Sequence, residues 1–296
     1  RLSPGYTIHG CCGIMIPNYF SYSSIQSFQK CPAQFQFRYL DRIFKKDEGI
    51  EAFMGKRVHE TIEHVYTQKK LGVNLSYDNI IQHHYHLWEQ KWHDRIAIVN
   101  KQILPIDRDK NIPLWKKYAS YYFRTGETCL TKFYSLYKPF GESVYANEYE
   151  MDFLLDDDSN YRIKGVVDRI DVDEDYNWII HDYKTGKRAY NQKEADNDMQ
   201  LGLYQIGLEK KKKNVNSVVL AWHFLQQSKE NIMVYSKRNR SDLEELVSKI
   251  KTVIDKIKLK IKNKEKFSAK KTLLCKWCYY WEECPAQDGP NPNIGI

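Results

Sequence analysis

The chain has 296 residues, with 46 Lys and Arg against 38 Asp and Glu, a formal charge of +8, and seven cysteines. At 42% hydrophobic and 28% charged residues the composition excludes disorder, and no apolar run reaches the roughly 18 residues of a transmembrane helix. Arg1–Phe20 lacks the basic-then-apolar pattern of a signal peptide. An odd number of thiols, in a chain too long to need disulfide staples, fits a reducing, cytoplasmic setting with thiolates serving a metal.

In chain order, residues 1–20 read as a tail. Ser21 to Ile43 opens on Ser-rich capping signals and carries Ile25, Phe28, Phe35 and Tyr39, the pattern of a short helical region. Aromatic-rich helical patterns follow over 51–70, 78–100 and 113–138. The period then changes to two. Strands are predicted at Ser143–Leu155, Tyr161–Val172 and Trp178–Tyr183, separated by Asp/Asn-rich turns. A helix over 191–211 and strands at Ser217–Leu225 and Asn231–Ser236 come next. From about Ser241 a long helix carries Leu243, Val247, Ile250, Ile254, Ile257 and Ile261 as one apolar stripe, and the segment after Pro285 reads as disordered. The order predicts an α/β fold with a mixed central sheet flanked by helices. It divides into a 1–20 tail, a helical region 21–140, a core 141–240, a C-terminal helix and cysteine motif 241–286, and a 287–296 tail.

Charge is segregated along this order. From Glu148 to Asp182 twelve acids face three bases, a net −9 that leaves +17 for the remainder. An acidic centre within a basic chain suits a protein that holds divalent cations and attracts a polyanion, although acidic turns and lysine-rich solvated helices give the same totals. Asp182 and Lys184 lie two apart and so share one face of a strand, with His181 and Tyr183 on the other. A hairpin through 173–177 brings Asp168 beside Asp182. Two carboxylates and a lysine at a sheet edge can hold Mg²⁺ or Mn²⁺ and act on a phosphodiester.

Asp-x-Lys alone is common. The longer strings Gly165-Val-Val-Asp168-Arg-Ile-Asp171 and His181-Asp182-Tyr-Lys184-Thr-Gly186 resemble motifs II and III of the RecB-like branch of the PD-(D/E)xK nucleases. Gly55-Lys-Arg-Val-His59-Glu60 is similar to that family's motif I, and Gln200-Leu-Gly-Leu-Tyr204 to its Gln-x-x-x-Tyr motif; residues i and i+4 share a helix face. The proline of the family name is absent, Val167 preceding Asp168. The resemblance spans about residues 21–286 and implies a restriction-endonuclease-like fold. It also implies an Mg²⁺/Mn²⁺-dependent deoxyribonuclease, in particular an exonuclease preferring single-stranded ends. His59, Asp168 and Asp182 are then the metal ligands, Lys184 the polarising partner, and Gln200 and Tyr204 the groups that position the strand. Glu148 is given at most an outer, supporting place. Implied partners are DNA with free ends and helicase or CRISPR adaptation proteins; recombination, CRISPR adaptation and phage DNA processing are the pathways open to it. The rival from another class is a non-catalytic DNA-binding or assembly subunit that keeps the fold. Against it stands the full His, Asp, Asp and Lys set.

Cys275-Lys-Trp-Cys278 and Cys284-Pro285 supply three thiolates, and Cys31-Pro32 repeats the Cys-Pro signature as a fourth. One plus three thiolates fit a [4Fe–4S] cluster or, alternatively, zinc, and Cys11 or Cys12 can stand in for Cys31. The same arrangement, one cysteine ahead of the core and three behind, resembles the iron–sulfur members of the RecB-like family, the AddB nuclease domain and the small CRISPR-associated exonucleases. Cys129, in an apolar helix, is read as core.

Overall fold

The computed structural model describes residues 16–99 and 112–292. Cys11 and Cys12 lie outside them. Helix α1 (Tyr22–Lys30) starts where the Ser21 hydroxyl accepts from the Ser24 amide and the Ser24 hydroxyl side chain returns to the Ser21 amide. It ends at Cys31, whose extended backbone precedes Pro32, the first residue of α2 (Pro32–Phe35). A π-helical turn, Gln36–Leu40, follows. Residues 17–20, expected as tail, are drawn into the fold. Phe20 is buried, and its amide and carbonyl bond to the Arg162 carbonyl and the Lys164 amide beside the sheet.

Helices α3 (Ile50–Lys70), α4 (Tyr77–Lys91) and α5 (Leu114–Tyr137) form the next layer. Val58, Ile62, Tyr66, Ile80, Leu130 and Phe133 make its core, and Phe53, Trp88 and Tyr118 a second cluster. The helix expected over 78–100 stops at Lys91. Beyond it Ile96–Ala97 (β2) pairs in parallel with Glu48–Gly49 (β1), and Ile96, Ala97 and Ile98 are all buried.

The main sheet has five strands in sequence order: β3 (Val144–Leu154), β4 (Arg162–Val172), β5 (Asn177–Lys184), β6 (Ser217–Phe224) and β7 (Met233–Ser236). Only β5 and β6 run parallel, connected through α6 (Gln192–Asp196) and α7 (Met199–Lys211). The single helix expected over 191–211 is two, because Asp198 caps α7 by accepting from the Leu201 amide. Helix α8 (Arg240–Lys262) lays the predicted stripe, Leu243 to Ile261, against one face of the sheet together with α7 and α1; α3 and α5 cover the other. This is the mixed α/β sandwich the sequence predicts. Residues 286–292 fold back: Asn291 is buried, and the Trp281 indole donates to the Asp288 carbonyl. Among the described residues no helix is long and apolar enough to cross a membrane.

Candidate active site

The register of the β4–β5 hairpin sets Arg169 opposite His181 and thereby carries Asp168 alongside Asp182. One oxygen of Asp168 accepts from the Tyr183 amide at 2.8 Å. His59 arrives from α3. Its approach depends on Gly55, one turn earlier, where a Cβ would stand 2.8 Å from the Thr185 hydroxyl just past β5. His59 Nε2–H donates to the Tyr183 carbonyl at 2.8 Å, which leaves Nδ1 facing Asp168 Oδ1 at 3.5 Å. The main chain of Tyr183 therefore orients both residues.

Glu148 completes this group from β3. It sits at the position facing Asp168, between the pairs Asn147–Arg169 and Tyr149–Val167, and has φ of 43°. On β4, Val167 packs in the α7-side core while Arg169, two residues on, bonds to Tyr66 of α3. Side-chain alternation thus slips at Asp168, and an irregular backbone on both strands aims Glu148 and Asp168 at His59. Among the described residues, His59, Glu148 and Asp168 are the set whose ligand atoms all lie within 4.8 Å of one another. The His59 and Asp168 side chains retain 30% and 19% exposure, so an ion has a route in.

The electrostatics follow from this crowding. Burial disfavours the His59 imidazolium, but Asp168, with help from Asp182 and Glu148, outweighs it and lifts the pKa to about 9. Burial and the neighbouring Asp168 raise Glu148 to about 7. Burial acts upward on Asp168 too, yet His59, the Tyr183 amide and Lys184 hold it below the usual carboxylate range. Asp182 is raised to about 6, burial and Asp168 prevailing over Lys184.

Asp182 faces the lysine. Lys184 Nζ lies 3.0 and 2.7 Å from the two Asp182 oxygens and 3.2 Å from Gln200 Oε1 on α7. The Tyr204 ring is stacked over Gly165 of β4, where a Cβ would come within 2.6 Å. Tyr22 of α1 and Tyr190 stand close enough to feel the charges of Lys184 and Asp182. The structure thus brings together His59, Asp168, Asp182, Lys184 and Gln200, with Tyr204 adjoining. It adds Glu148 to the histidine side and assigns Asp182 to the lysine.

Behind the site the odd residues of β4 and β5 build a buried polar network. Arg169, 1% exposed, donates to Tyr66, to Tyr183 at 2.9 Å and to Asp171 at 3.0 Å; His181 bonds Asp171 at 3.0 Å and His223 at 2.9 Å. Asp171 compensates the Arg169 charge, its Oδ1 lying 3.0 Å from Nε, and both terminal nitrogens of the guanidinium have hydrogen-bond partners.

Cys31 precedes Cys275 by 244 residues, yet Cys31, Cys275, Cys278 and Cys284 line one cavity of about 580 Å³. Donors already address three sulfurs: the Lys270 amide to Cys31 at 3.4 Å, the Thr272 amide to Cys275 at 3.3 Å and Gln34 Nε2 to Cys278 at 3.7 Å. Lys45 pairs with Glu282 and Glu283, and the Tyr280 hydroxyl donates to the Ile43 carbonyl, so the two ends of the fold are in contact around the thiols. Cys129 is fully buried in α5.

A five-stranded mixed sheet presenting Asp168 and an Asp182-x-Lys184 pair at adjacent strands is the arrangement of a nuclease core. The family model of the PD-(D/E)XK nuclease superfamily matches residues 19–285. The chain belongs to that superfamily, and its mixed sheet flanked by helices is the restriction-endonuclease-like fold. Among solved structures, a putative exonuclease from Eubacterium rectale is 11% identical, with 92% of this chain and 90% of that chain covered and a TM-score of 0.48. The structure of SSO0001 is 13% identical over 92% and 88%, with a TM-score of 0.39. No curated protein matches the chain.

Proposed function

We propose that the chain is a divalent-metal-dependent deoxyribonuclease, an exonuclease preferring single-stranded ends, of the RecB-like branch. The observation that carries this reading is the meeting of His59, Glu148 and Asp168 with the Asp182–Lys184–Gln200 cluster. One imidazole and two carboxylates within 4.8 Å suit Mn²⁺ or Mg²⁺, with Asp182 adjoining as a further oxygen donor. A bound ion supplies Lewis-acid polarisation of a phosphoryl oxygen and a more acidic water.

The chain's own groups do the remainder. Asp168 is fixed by the Tyr183 amide and His59 by the Tyr183 carbonyl, so the donors are preset before an ion arrives. Lys184 stays protonated, since Asp182 overcomes the burial that opposes its charge. Its ammonium lies where negative charge grows on a phosphoryl oxygen, and Gln200 limits its swing. Tyr204, packed on Gly165, borders the path of the strand.

For the thiols we propose a [4Fe–4S] cluster with a structural role. A single zinc ion at about 2.3 Å from each sulfur holds its ligands roughly 3.8 Å apart. Four thiols around one cavity of about 580 Å³ match the ligand count of a cluster as well as that of zinc. Amide donors to sulfur also favour thiolate. In this reading the helical region 21–140 contributes Cys31 and His59, and segment 241–286 the other three thiolates. Partners in recombination, CRISPR adaptation or phage DNA processing belong to the same proposal.

The test is cleavage of end-labelled single-stranded DNA with Mn²⁺. Lys184→Ala is expected to lower kcat by 10²–10³-fold, roughly the value of one oriented charge-stabilising donor. If the parent cuts no DNA under any metal, the chain is a binding or assembly subunit. A brown preparation absorbing near about 400 nm supports the cluster, and a colourless protein with one zinc per chain refutes it.

A further inference from the structure

A second cavity, of about 540 Å³, opens beside the site and shares Gln200 and Tyr204 with it. Its other walls come from residues 17–24, from Arg38 and Tyr39, and from Lys164–Val166 of β4. Three features of the lining point to one kind of occupant. The first is aromatic: Tyr19, Tyr22, Tyr39 and Tyr204 reach it from four separate elements. The second is cationic. Lys164 Nζ rides 4.9 Å from the Tyr19 ring centre while also touching Asp152 at 3.1 Å, and Arg38 is exposed over Tyr39. Glu150 is the single acid among the lining residues. The third is the start of α1, whose first turn holds no acid and whose Ser21, Tyr22 and Ser23 all line the cavity, which places the positive end of the helix dipole at its wall.

We propose that this cavity seats one unpaired nucleotide of the substrate strand, the one adjoining the scissile phosphate. The inference rests on the nuclease reading and specifies its substrate. The base stacks among the tyrosines, and the flanking phosphate meets the α1 N-terminus, Lys164 and Arg38. The volume lies within the range of pockets that enclose a small organic molecule, too confined for a duplex. The pocket therefore selects strands whose bases are free to unstack.

Tyr19→Leu and Arg38→Gln test this, since both side chains lie on the surface of the cavity and neither touches the metal-ligand group. Each is expected to raise KM for a single-stranded oligonucleotide about tenfold and to change kcat less than twofold. A substrate with one abasic residue, moved stepwise past the cleavage point, should lose about tenfold in kcat/KM at one position with the parent enzyme. Tyr19→Leu should no longer register that position. Efficient cleavage with unchanged KM in both variants and a flat abasic scan overturns the pocket while leaving the nuclease reading intact. If no form cleaves, fluorescent-oligonucleotide binding in Ca²⁺ decides separately: equal affinity for parent and variants overturns the pocket, and a tenfold loss upholds it.

Discussion

Glu148 combines a left-handed backbone, φ 43°, with a carboxyl raised to about 7 by burial and by Asp168. A non-glycine residue held there stores on the order of 1 kcal/mol of strain, which persists where the surroundings enforce it. Two outcomes are predicted. Glu148→Gly raises stability by about 1 kcal/mol in chemical denaturation, since glycine adopts that φ freely, and it weakens Mn²⁺ binding at least tenfold by calorimetry. Retained Mn²⁺ affinity would remove Glu148 from the ligand set. His84 offers a pH prediction of the same kind. It is fully buried between α4 and α5, against Gly126, and burial pushes its pKa down to about 4. The unfolded chain takes up the proton first, so the stability this neutral histidine provides is whole above pH 6.5 and is lost as pH falls toward 4. About 2 kcal/mol should disappear between pH 6.5 and 5, and His84→Leu should flatten that part of a Tm-against-pH curve.

At the scale of elements, the approach of α3 to the end of β5 decides where His59 stands. Gly55→Ala is a better helix former in isolation, yet its methyl meets Thr185 at 2.8 Å. The expected result is at least a tenfold loss of nuclease activity with little change in Tm, and recovery when Thr185→Ala is added. No recovery in the double variant would show that Gly55 acts otherwise. The sequence made much of this scale readable. Period two placed Asp182 with Lys184 and apart from His181 and Tyr183, and the turn at 173–177 fixed which residues of β4 they meet. Spacing of four placed Gln200 and Tyr204 on one side of α7. From the sequence Glu148 takes a distant, supporting place, whereas the structure sets its carboxyl within 4.8 Å of His59 and Asp168. Its direction depends on a backbone irregularity shared by two strands, which no side-chain pattern encodes. The break before α7 did leave a signal, since Asp198 is a good cap, but the cap does not interrupt the apolar count enough to be seen without the fold.

For the molecule as a whole, the thiol cavity brings the segment before the core against the one after it. Cys31→Ser is predicted to lower Tm by several degrees and to speed proteolysis between 267 and 285, read by limited digestion; an unchanged pattern would mean that the salt bridges of Lys45 suffice. Helix α1 connects this junction to the site: Tyr22 at its start borders Lys184 and Asp182, and Cys31 at its end lines the thiol cavity, roughly 14 Å away along one rigid rod. Where binding at one end displaces the helix, the two events are linked, and linkage is reciprocal. If disturbing the thiols slackens the grip on a strand, then a bound strand must, by the same free energy, shield the thiols from chelators and oxidants. The two ends of a nine-residue helix would then report on each other's occupancy.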